Sequence, residues 1–281
     1  MKTIQSTSSG ATAATPRKGF TLAELLVVLV VVALLFSLRL AAMPGAQDRS
    51  KVAQCAANLR QVTLAVQIYG GENNDQLPVI GSGSGWPWDL PWNVGNTLLS
   101  YGLQKRNFFC PGTAPRFSDL SNFADPTLDA YGAPKNLWDF GKNRSTPFHE
   151  SGYAFAFSGP YSQLLPSAQN TTLQPEKTPN PTNAFLPSVY TGVSDRALAA
   201  DATICNPAAV ASVPLSARYA STLNYTSVGG GAGQFYLPIT SPHLYGRFPA
   251  GGNVGFKDGH VVWRKFDDMR QQAASGASYW W

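Results

Sequence analysis

The sequence predicts an α+β fold, with a long helical amino-terminal region followed by a globular domain built on an antiparallel sheet. Residues 25–36 are apolar without a break, and between residues 52 and 69 apolar side chains recur at alternating spacings of three and four. Near the carboxyl end, two short apolar segments flank Asp258 and Gly259, a pair typical of a tight turn between antiparallel strands. These patterns favour a helical amino-terminal end and a sheet-rich carboxyl-terminal end.

Composition restricts the class of protein. Only 13% of the 281 residues are charged, and 26 Gly with 21 Pro favour a loop-rich fold over a helical bundle or coiled coil. Aromatic residues make up 12% of the chain, enough to fill a sizeable core. The net charge of +5 comes from dispersed cations, several of them before residue 19. We therefore expect no nucleic-acid partner.

The apolar segment predicts a helix that crosses a membrane. Residues 20–38 hold a single ionisable side chain, Glu24, and a helix of that length spans roughly 28 Å, close to the thickness of a hydrocarbon core. A buried core helix is the alternative, but such helices normally have one polar face, and residues 25–36 have none. Arg17 and Lys18 before the segment favour a cytoplasmic amino terminus.

The start of this segment resembles a known signal. Residues 17–26, RKGFTLAELL, are similar to the class III signal of type IV pilins and type II secretion pseudopilins. The resemblance implies that a membrane-bound prepilin peptidase cuts between Gly19 and Phe20 and that the new amino terminus is methylated. It also implies that the Glu24 carboxylate pairs with the free amine of Phe20 in a neighbouring subunit. The alternative is that the Glu24 side chain extends to the cytoplasmic membrane interface and has no partner in another subunit.

The same resemblance divides the chain. The parts are a prepilin leader, a transmembrane helix, the second half of the pilin helix and an exported globular head, at residues 1–19, 20–42, 43–70 and 71–281. Pro44 predicts an interruption between the helical halves, because proline removes a backbone donor. Asp48 is a candidate cap for the second half, and Gly70 and Gly71 are expected to end it.

A second resemblance lies in the predicted hairpin. Many bacterial prepilin-like, processing-associated proteins end with a histidine, a nine-residue spacer and Asp-Gly. Asp258, Gly259 and His260 resemble that ending, and His243 supplies the upstream histidine, here separated from Asp258 by fourteen residues. Residues 55–61, 109–111 and 198–201 resemble other motifs of the same proteins.

Four of the polar residues are candidates for a divalent-metal site or an acid–base cluster, because carboxylate and imidazole are common ligands: Asp201, His243, Asp258 and His260. No tight spacing such as His-x-x-x-His supports that hypothesis. We expect Asp258 and Gly259 to be turn residues with positive φ in a type I′ hairpin. A structural calcium ion bound by these residues is the alternative. Otherwise the sequence predicts no cofactor and no enzymatic activity.

The three cysteines and a cluster of tryptophans leave further alternatives open. Outside the cytoplasm disulfides persist, and Cys55 lies on the apolar helix face, so a Cys55–Cys110 disulfide would tie helix to domain. Three buried thiols, with Cys205, are the alternative. The tryptophans at residues 86, 88 and 92 either fill the core or form a sugar-binding platform.

These features predict a prepilin-like subunit of a type IV pilus or type II secretion pseudopilus. Its partners would be prepilin peptidase and other pilin-like subunits. The protein would lie in the bacterial inner membrane as a single-pass protein, with its head in the periplasm or in an extracellular filament. The alternative is a membrane-anchored protein whose head binds cell-envelope material or polysaccharide.

Overall fold

The computed structural model describes residues 19–40, 43–81, 86–113, 118–128, 132–139, 141–175, 193–194, 196–206, 217–228, 240–272 and 278–281. It divides the chain into two compact units, Met1–Ala46 and Gln47–Trp281. The described part combines amino-terminal helices with antiparallel sheets, so the predicted α+β class is confirmed. The sequence also predicts strands over residues 153–158, 184–190 and 197–200. The second lies outside the described residues, and the other two correspond to strands at Tyr153–Phe155 and Ala197–Asp201.

In the first unit, helix α1 runs over Leu22–Leu40, and its side chains are described as far as Ala33. Thr21 precedes it and forms a capping box with Glu24. The Thr21 N–H and hydroxyl each donate to Glu24 Oε2 at 2.8 Å, and the Glu24 N–H donates to Thr21 Oγ1 at 3.2 Å. These bonds satisfy amide groups that have no acceptor within the helix.

Among the described residues, no helix combines the length and the apolar character that a membrane crossing requires.

Helix α2 runs over Met43–Glu72. Pro44 is its second residue, where proline is tolerated because the missing N–H would have no intrahelical acceptor. The helix therefore starts before Asp48, so the predicted cap at Asp48 is wrong. Its predicted end is also wrong, because α2 continues through Gly70 and Gly71, and the reversal uses Asn74 (φ 54°) and Asp75 (φ 60°) instead.

The predicted apolar face of α2 is confirmed within the second unit. Cys55, Leu59, Val62 and Val66 are all fully buried, spaced three or four residues apart. They belong to a core that also includes residues from the sheet and from the 105–110 segment. Cys55 is thus fixed on the inner face of the helix.

The strands of the described part, in chain order, are β1 Asp89–Pro91, β2 Phe148–Glu150, β3 Tyr153–Phe155, β4 Ala197–Asp201, β5 Thr203–Cys205, β6 Leu244–Tyr245, β7 Phe248–Pro249, β8 Gly251–Phe256, β9 Val261–Lys265 and β10 Ser278–Trp280; a third helix, α3, covers Trp92–Ser100. The main sheet has the antiparallel order β3-β4-β8-β9, and β1-β2, β5-β10 and β6-β7 form separate pairs. Helix α2 packs closely on the main sheet at Gly255. A Cβ at this position would lie only 2.5 Å from Thr63 Cγ2 on the helix.

The β8–β9 hairpin is where the sequence placed it, but its turn type is not the predicted one. Gly259 has φ 87°, whereas Asp258 is not among the residues with positive φ. The Gly259 N–H donates to Phe256 O at 2.9 Å, and the Phe256 N–H donates to His260 O at 3.0 Å. A three-residue loop with one left-handed glycine at its end matches these bonds and replaces the predicted type I′ turn.

We expect Gly259→Val to lower the free energy of unfolding by about 1–3 kcal/mol, since a β-branched residue is strained at positive φ. Its Cβ would also lie 3.1 Å from Gln67 Oε1, in a side chain that donates to Lys257 O at 2.6 Å and so ties the hairpin to α2. Chemical denaturation measures the change. Gly246→Val has the same strain at positive φ but no neighbour for its Cβ, so the extra loss in Gly259→Val measures the contact with Gln67. Unaltered stability of Gly259→Val would contradict the assigned turn.

Candidate metal-binding cluster

Four side chains from four distant segments meet beneath helix α2. Cys55 comes from α2, Cys110 from the segment before the 3₁₀ turn Pro111–Thr113, Asp201 from the end of β4, and His243 from the residue before β6. One ligand atom from each lies within 4.8 Å of all the others. We call these residues the buried cluster.

The contacts within the buried cluster converge on one point. The Cys55 thiol donates to Asp201 Oδ1 at 2.8 Å, and Cys110 Sγ lies 3.2 Å from His243 Nε2. The same Nε2 lies 3.5 Å from Asp201 Oδ2. A nucleophile–histidine–carboxylate triad uses the two ring nitrogens for different partners. Here Nε2 faces both the thiol and the carboxylate, an arrangement that fits a shared ligand better than a proton relay.

Groups around the buried cluster hold its members in place. The Asn253 backbone N–H donates to Asp201 Oδ2 at 2.6 Å, and its side-chain amide donates to the same oxygen at 3.2 Å. The Gly112 N–H points to Cys110 Sγ at 3.3 Å. The Tyr153 hydroxyl lies 3.6 Å from Cys55 Sγ. One carboxylate oxygen and both sulfur atoms therefore have polar neighbours outside the four residues.

The backbone at His243 explains how its ring reaches this position. His243 has φ 51°, and its N–H donates to Gly112 O at 3.1 Å while its carbonyl accepts from Ala250 N–H at 2.9 Å. The ring meets Trp263 edge to face at 5.1 Å between centroids. A Cβ on Gly112 would stand 2.4 Å from His243 Cε1, so only glycine allows this close approach.

Burial and mutual contacts shift the protonation of these groups. Burial raises the pKa of the Cys110 thiol, and the hydrogen bond with Cys55 and the charge of Asp201 raise it further. Burial by itself lowers the pKa of His243, but hydrogen bonds with Asp201 and Cys55 outweigh it and raise that pKa to about 9. Burial also raises the pKa of Tyr153. Without a ligand, the Cys110 thiol and the His243 imidazolium therefore retain their protons at neutral pH.

A cavity of about 420 Å³ leads to the cluster from one side. His243 lines it together with Gly112, Ser241 and Trp263. The His243 side chain is only 5% exposed, so the cavity supplies a route to an otherwise buried group.

The structure separates the four residues predicted as one metal or acid–base set. Asp201 and His243 join the two cysteines, whereas His260 Nδ1 contacts Asp258 Oδ1 on the hairpin and the His260 ring stacks on Phe256 at 4.3 Å. The His260 side chain is 40% exposed. The hairpin pair therefore contributes nothing to the buried cluster.

Cys55 and Cys110 lie together as the disulfide prediction required, yet the structure has both as free thiols. Cys205 is also a buried free thiol, on β5 and outside the buried cluster. The sequence indicates all four cluster residues, but it groups Asp201 and His243 with Asp258 and His260 and treats the cysteines as a disulfide or as buried thiols. The common site follows only from the fold.

The tryptophans proposed as a sugar-binding platform are packed into the domain. Trp88 is buried, and Trp86 stacks on it at 5.3 Å. Trp92 stacks at 4.0 Å on the ring of His149, whose other face stacks on Trp138 at 4.2 Å. The core interpretation of these aromatic residues is therefore the better one.

Comparison with known proteins gives one finding, at the amino terminus. Residues 15–38 match the protein-family model described as "Prokaryotic N-terminal methylation motif". Neither the comparison with curated proteins nor that with solved structures found a match. The matched residues contain Gly19, Phe20 and Glu24, the positions singled out in the sequence. The chain therefore carries a prepilin-type, class III methylation signal at its amino terminus.

Proposed function

We propose that this protein is a prepilin-like subunit of a type IV pilus or type II secretion pseudopilus. Prepilin peptidase cuts it between Gly19 and Phe20, and the mature chain is anchored in the bacterial inner membrane through α1. It assembles there with other pilin-like subunits, and its carboxyl-terminal domain lies on the exported side. The match of residues 15–38 to the methylation motif is the observation that carries this proposal.

The character of α1 supports an environment of lipid or neighbouring helices. Its apolar side chains are exposed on every face, from 80% at Leu22 to 41% at Val32. Such a surface is unfavourable in water because no polar face offsets it. Residues 25–36 continue the apolar sequence beyond the described side chains. Burial of this helix in a membrane, and later among the helices of other subunits, would remove the surface from water.

The cleavage site has the access that a peptidase requires. Gly19 and Phe20 are exposed and precede the capped first turn of α1. A side chain added at Gly19 would meet no atom within 4 Å. A substitution there therefore changes the signal without disturbing the described fold.

The alternative, an anchored polysaccharide-binding protein, lacks support from the described residues. It depended on the tryptophans at residues 86, 88 and 92, which pack against other aromatic residues instead. Assembly distinguishes the two functions, because an anchored binding protein needs no contact between copies.

The test is expression of the full chain with and without prepilin peptidase, followed by intact-mass measurement. We expect a mature chain that begins with methylated Phe20, and we expect Gly19→Val to stay at full length. Gly10→Val, also in the leader, is the matched control and should be cut normally. A mature chain beginning near Ala42 or Met43, or one never cut, would overturn the processing step.

Assembly has a separate readout in the same cells. Crosslinking through cysteines introduced on α1 should capture copies of this chain or other pilin-like subunits when Gly19 is intact. Gly19→Val should reduce that product strongly, because an uncut leader leaves no free Phe20 amine. Normal cutting without any crosslinked product would favour an anchored monomer over a filament subunit.

A further inference from the structure

We propose that the buried cluster of Cys55, Cys110, Asp201 and His243 binds one zinc ion, which holds the carboxyl-terminal domain together. The site lies wholly within Gln47–Trp281 and is independent of the function proposed for the amino terminus. It replaces the expectation from sequence that the protein has no cofactor. It shares Asp201 and His243 with the set considered for calcium, but two cysteines take the places of Asp258 and His260.

The donor atoms select the metal. Two sulfur atoms, one imidazole nitrogen and one carboxylate oxygen form a set that suits zinc, whereas calcium and magnesium prefer oxygen ligands alone. Four protein ligands complete a tetrahedral shell and leave no open position, which is typical of structural zinc sites. A catalytic zinc ion would keep one position for water. The proposed role is therefore structural.

The distances lie close to those of a formed site. Zinc bonds of about 2.3 Å to sulfur and about 2.0–2.1 Å to nitrogen and oxygen require tetrahedral edges of roughly 3.3–3.8 Å between ligand atoms. His243 Nε2 lies 3.2 Å from Cys110 Sγ, and one ligand atom from each of the four residues lies within 4.8 Å of the others. Cys55 Sγ lies 2.8 Å from Asp201 Oδ1, the carboxylate oxygen that the Asn253 bonds leave free, and this distance is shorter than a sulfur–oxygen ligand edge. Loss of the thiol proton, followed by a small outward shift, would convert this contact into a ligand edge.

The surroundings provide the outer contacts that metal ligands normally have. Both Asn253 bonds go to Asp201 Oδ2, and the Gly112 N–H points to Cys110 Sγ. Such contacts orient ligands and spread their negative charge. Two thiolates and one carboxylate exceed the ion's charge by one, so donors of this kind are needed. Zinc binding would release the two thiol protons and the imidazolium proton of His243 to solvent, and the cavity beside His243 gives ion and protons a path.

The ion would connect four segments of the fold that are distant in sequence. Cys55 lies on the helix and Asp201 on the main sheet, while Cys110 and His243 lie in loops. A disulfide between Cys55 and Cys110 would link only the helix and one of the two loops. Zinc would also protect both thiols in an oxidising compartment, where free thiols are otherwise exposed to oxidation.

The first experiment uses the unaltered full chain, purified in detergent without added reductant or chelator. Elemental analysis should find one zinc ion per chain, and the free-thiol assay after unfolding in chelator should find Cys55 and Cys110 reduced. Cobalt substitution should produce the intense visible bands of a tetrahedral site and a thiolate charge-transfer band. Chelation should lower the melting temperature by several degrees, because loss of a ligand that binds only the folded state destabilises it. A Cys55–Cys110 disulfide with no bound metal would overturn the proposal.

The second experiment assigns the ligands. Cys110→Ser and His243→Gln should each lose most of the zinc and the cobalt bands. Cys205→Ser and His260→Gln are the matched controls, since they remove the same kinds of side chain outside the cluster, and they should retain one ion per chain. Zinc that persists in both ligand variants, or that is lost equally in the controls, would place the metal elsewhere and overturn the assignment.

A positioning variant keeps the proposal testable where ligand variants fail to fold. Gly112→Ala preserves all four ligands but pushes a methyl group against the His243 ring. We expect it to weaken zinc binding at least tenfold in a competition titration with a chromophoric chelator. Gly71→Ala, with open space around its Cβ, should bind as the unaltered chain does. Equal affinity in both variants would contradict the assigned position of His243.

Discussion

Glu24→Gln should keep helix α1 intact and still prevent assembly of the proposed filament subunit. In the structure Glu24 completes a capping box with Thr21, and a glutamine at this position can accept the same bond from the Thr21 N–H. Glutamine cannot, however, neutralise the free amine of a neighbouring Phe20. The variant therefore separates two roles of one carboxylate, helix capping within a subunit and charge pairing between subunits.

Thr21→Ala is the complementary variant, because it removes the hydroxyl half of the capping box and keeps the carboxylate. We expect it to cost about 0.5–2 kcal/mol of helix stability, while crosslinking between subunits persists. Glu24→Ala should lose both the capping bonds of α1 and the crosslinks between subunits. Membrane fractionation and crosslinking of the three variants provide the measurement. Normal crosslinking by Glu24→Gln would show that Glu24 acts as a cap and that the charge-pair mechanism is wrong.

The amino-terminal signal was predictable because its residues are consecutive in sequence. Gly19, Phe20 and Glu24 stand in register with a linear motif. The capping box was equally visible, since a threonine followed three residues later by glutamate is its usual pattern. The resemblance assigns Glu24 another role, pairing with Phe20 of a neighbouring subunit, and that role does not exclude the cap. Local features of this kind need no knowledge of the fold.

The buried cluster was not predictable as one site. Its residues stand at 55, 110, 201 and 243, and none is close enough in sequence to another to form a ligand motif. The apolar face of α2 did place Cys55 in the core, and the strand pattern did place Asp201 at the end of β4. What joins them is the packing of α2 against the main sheet, a contact between distant segments that sequence spacing does not encode.

The predicted type I′ turn of the β8–β9 hairpin is wrong for the same reason, because the turn type depends on contacts between distant segments. Asp-Gly is compatible both with a two-residue turn and with a longer loop that ends in a left-handed glycine. The pairing of Gly255 with Val261 decides between them, because it leaves a longer connection than a type I′ turn allows. Register depends on which strand faces meet the core, and in β8 that face is the one on which Gly255 approaches α2.

A pair of buried carboxyl groups was not anticipated from the sequence at all. Asp89 and Glu150 are register partners across β1 and β2, and both are buried. Among the described residues, Asp89 Oδ2, both carboxylate oxygens of Glu150 and the Tyr279 hydroxyl have no hydrogen-bond partner. Burial raises the pKa of Glu150 to about 8. Burial and the neighbouring charge of Glu150 also raise the pKa of Asp89.

We therefore expect the domain to lose stability as the pH rises towards and through about 8. The carboxyl group of Glu150 titrates near 4.5 in an unfolded chain and near 8 in the folded one. Between these values the unfolded state has released its proton while the folded state keeps it, so each rise in pH favours unfolding. The contribution of Glu150 is complete below 4.5 and lost above 8. Its total is on the order of several kcal/mol, since each pKa unit corresponds to about 1.4 kcal/mol.

Glu150→Gln tests this contribution, because the amide has a similar shape and does not ionise. Melting temperatures of the full chain should fall less steeply in the variant than in the unaltered protein between pH values of about 6.5 and 8. His149 has a pKa lowered to about 4 by burial, so its opposite effect is confined to more acidic solutions. His243 titrates within the window, but it does so equally in both proteins.

Glu72→Gln, at the exposed end of α2, is the matched control and should keep the original slope. Parallel curves for Glu150→Gln and the unaltered chain would mean that the Glu150 carboxyl is already ionised in the folded domain.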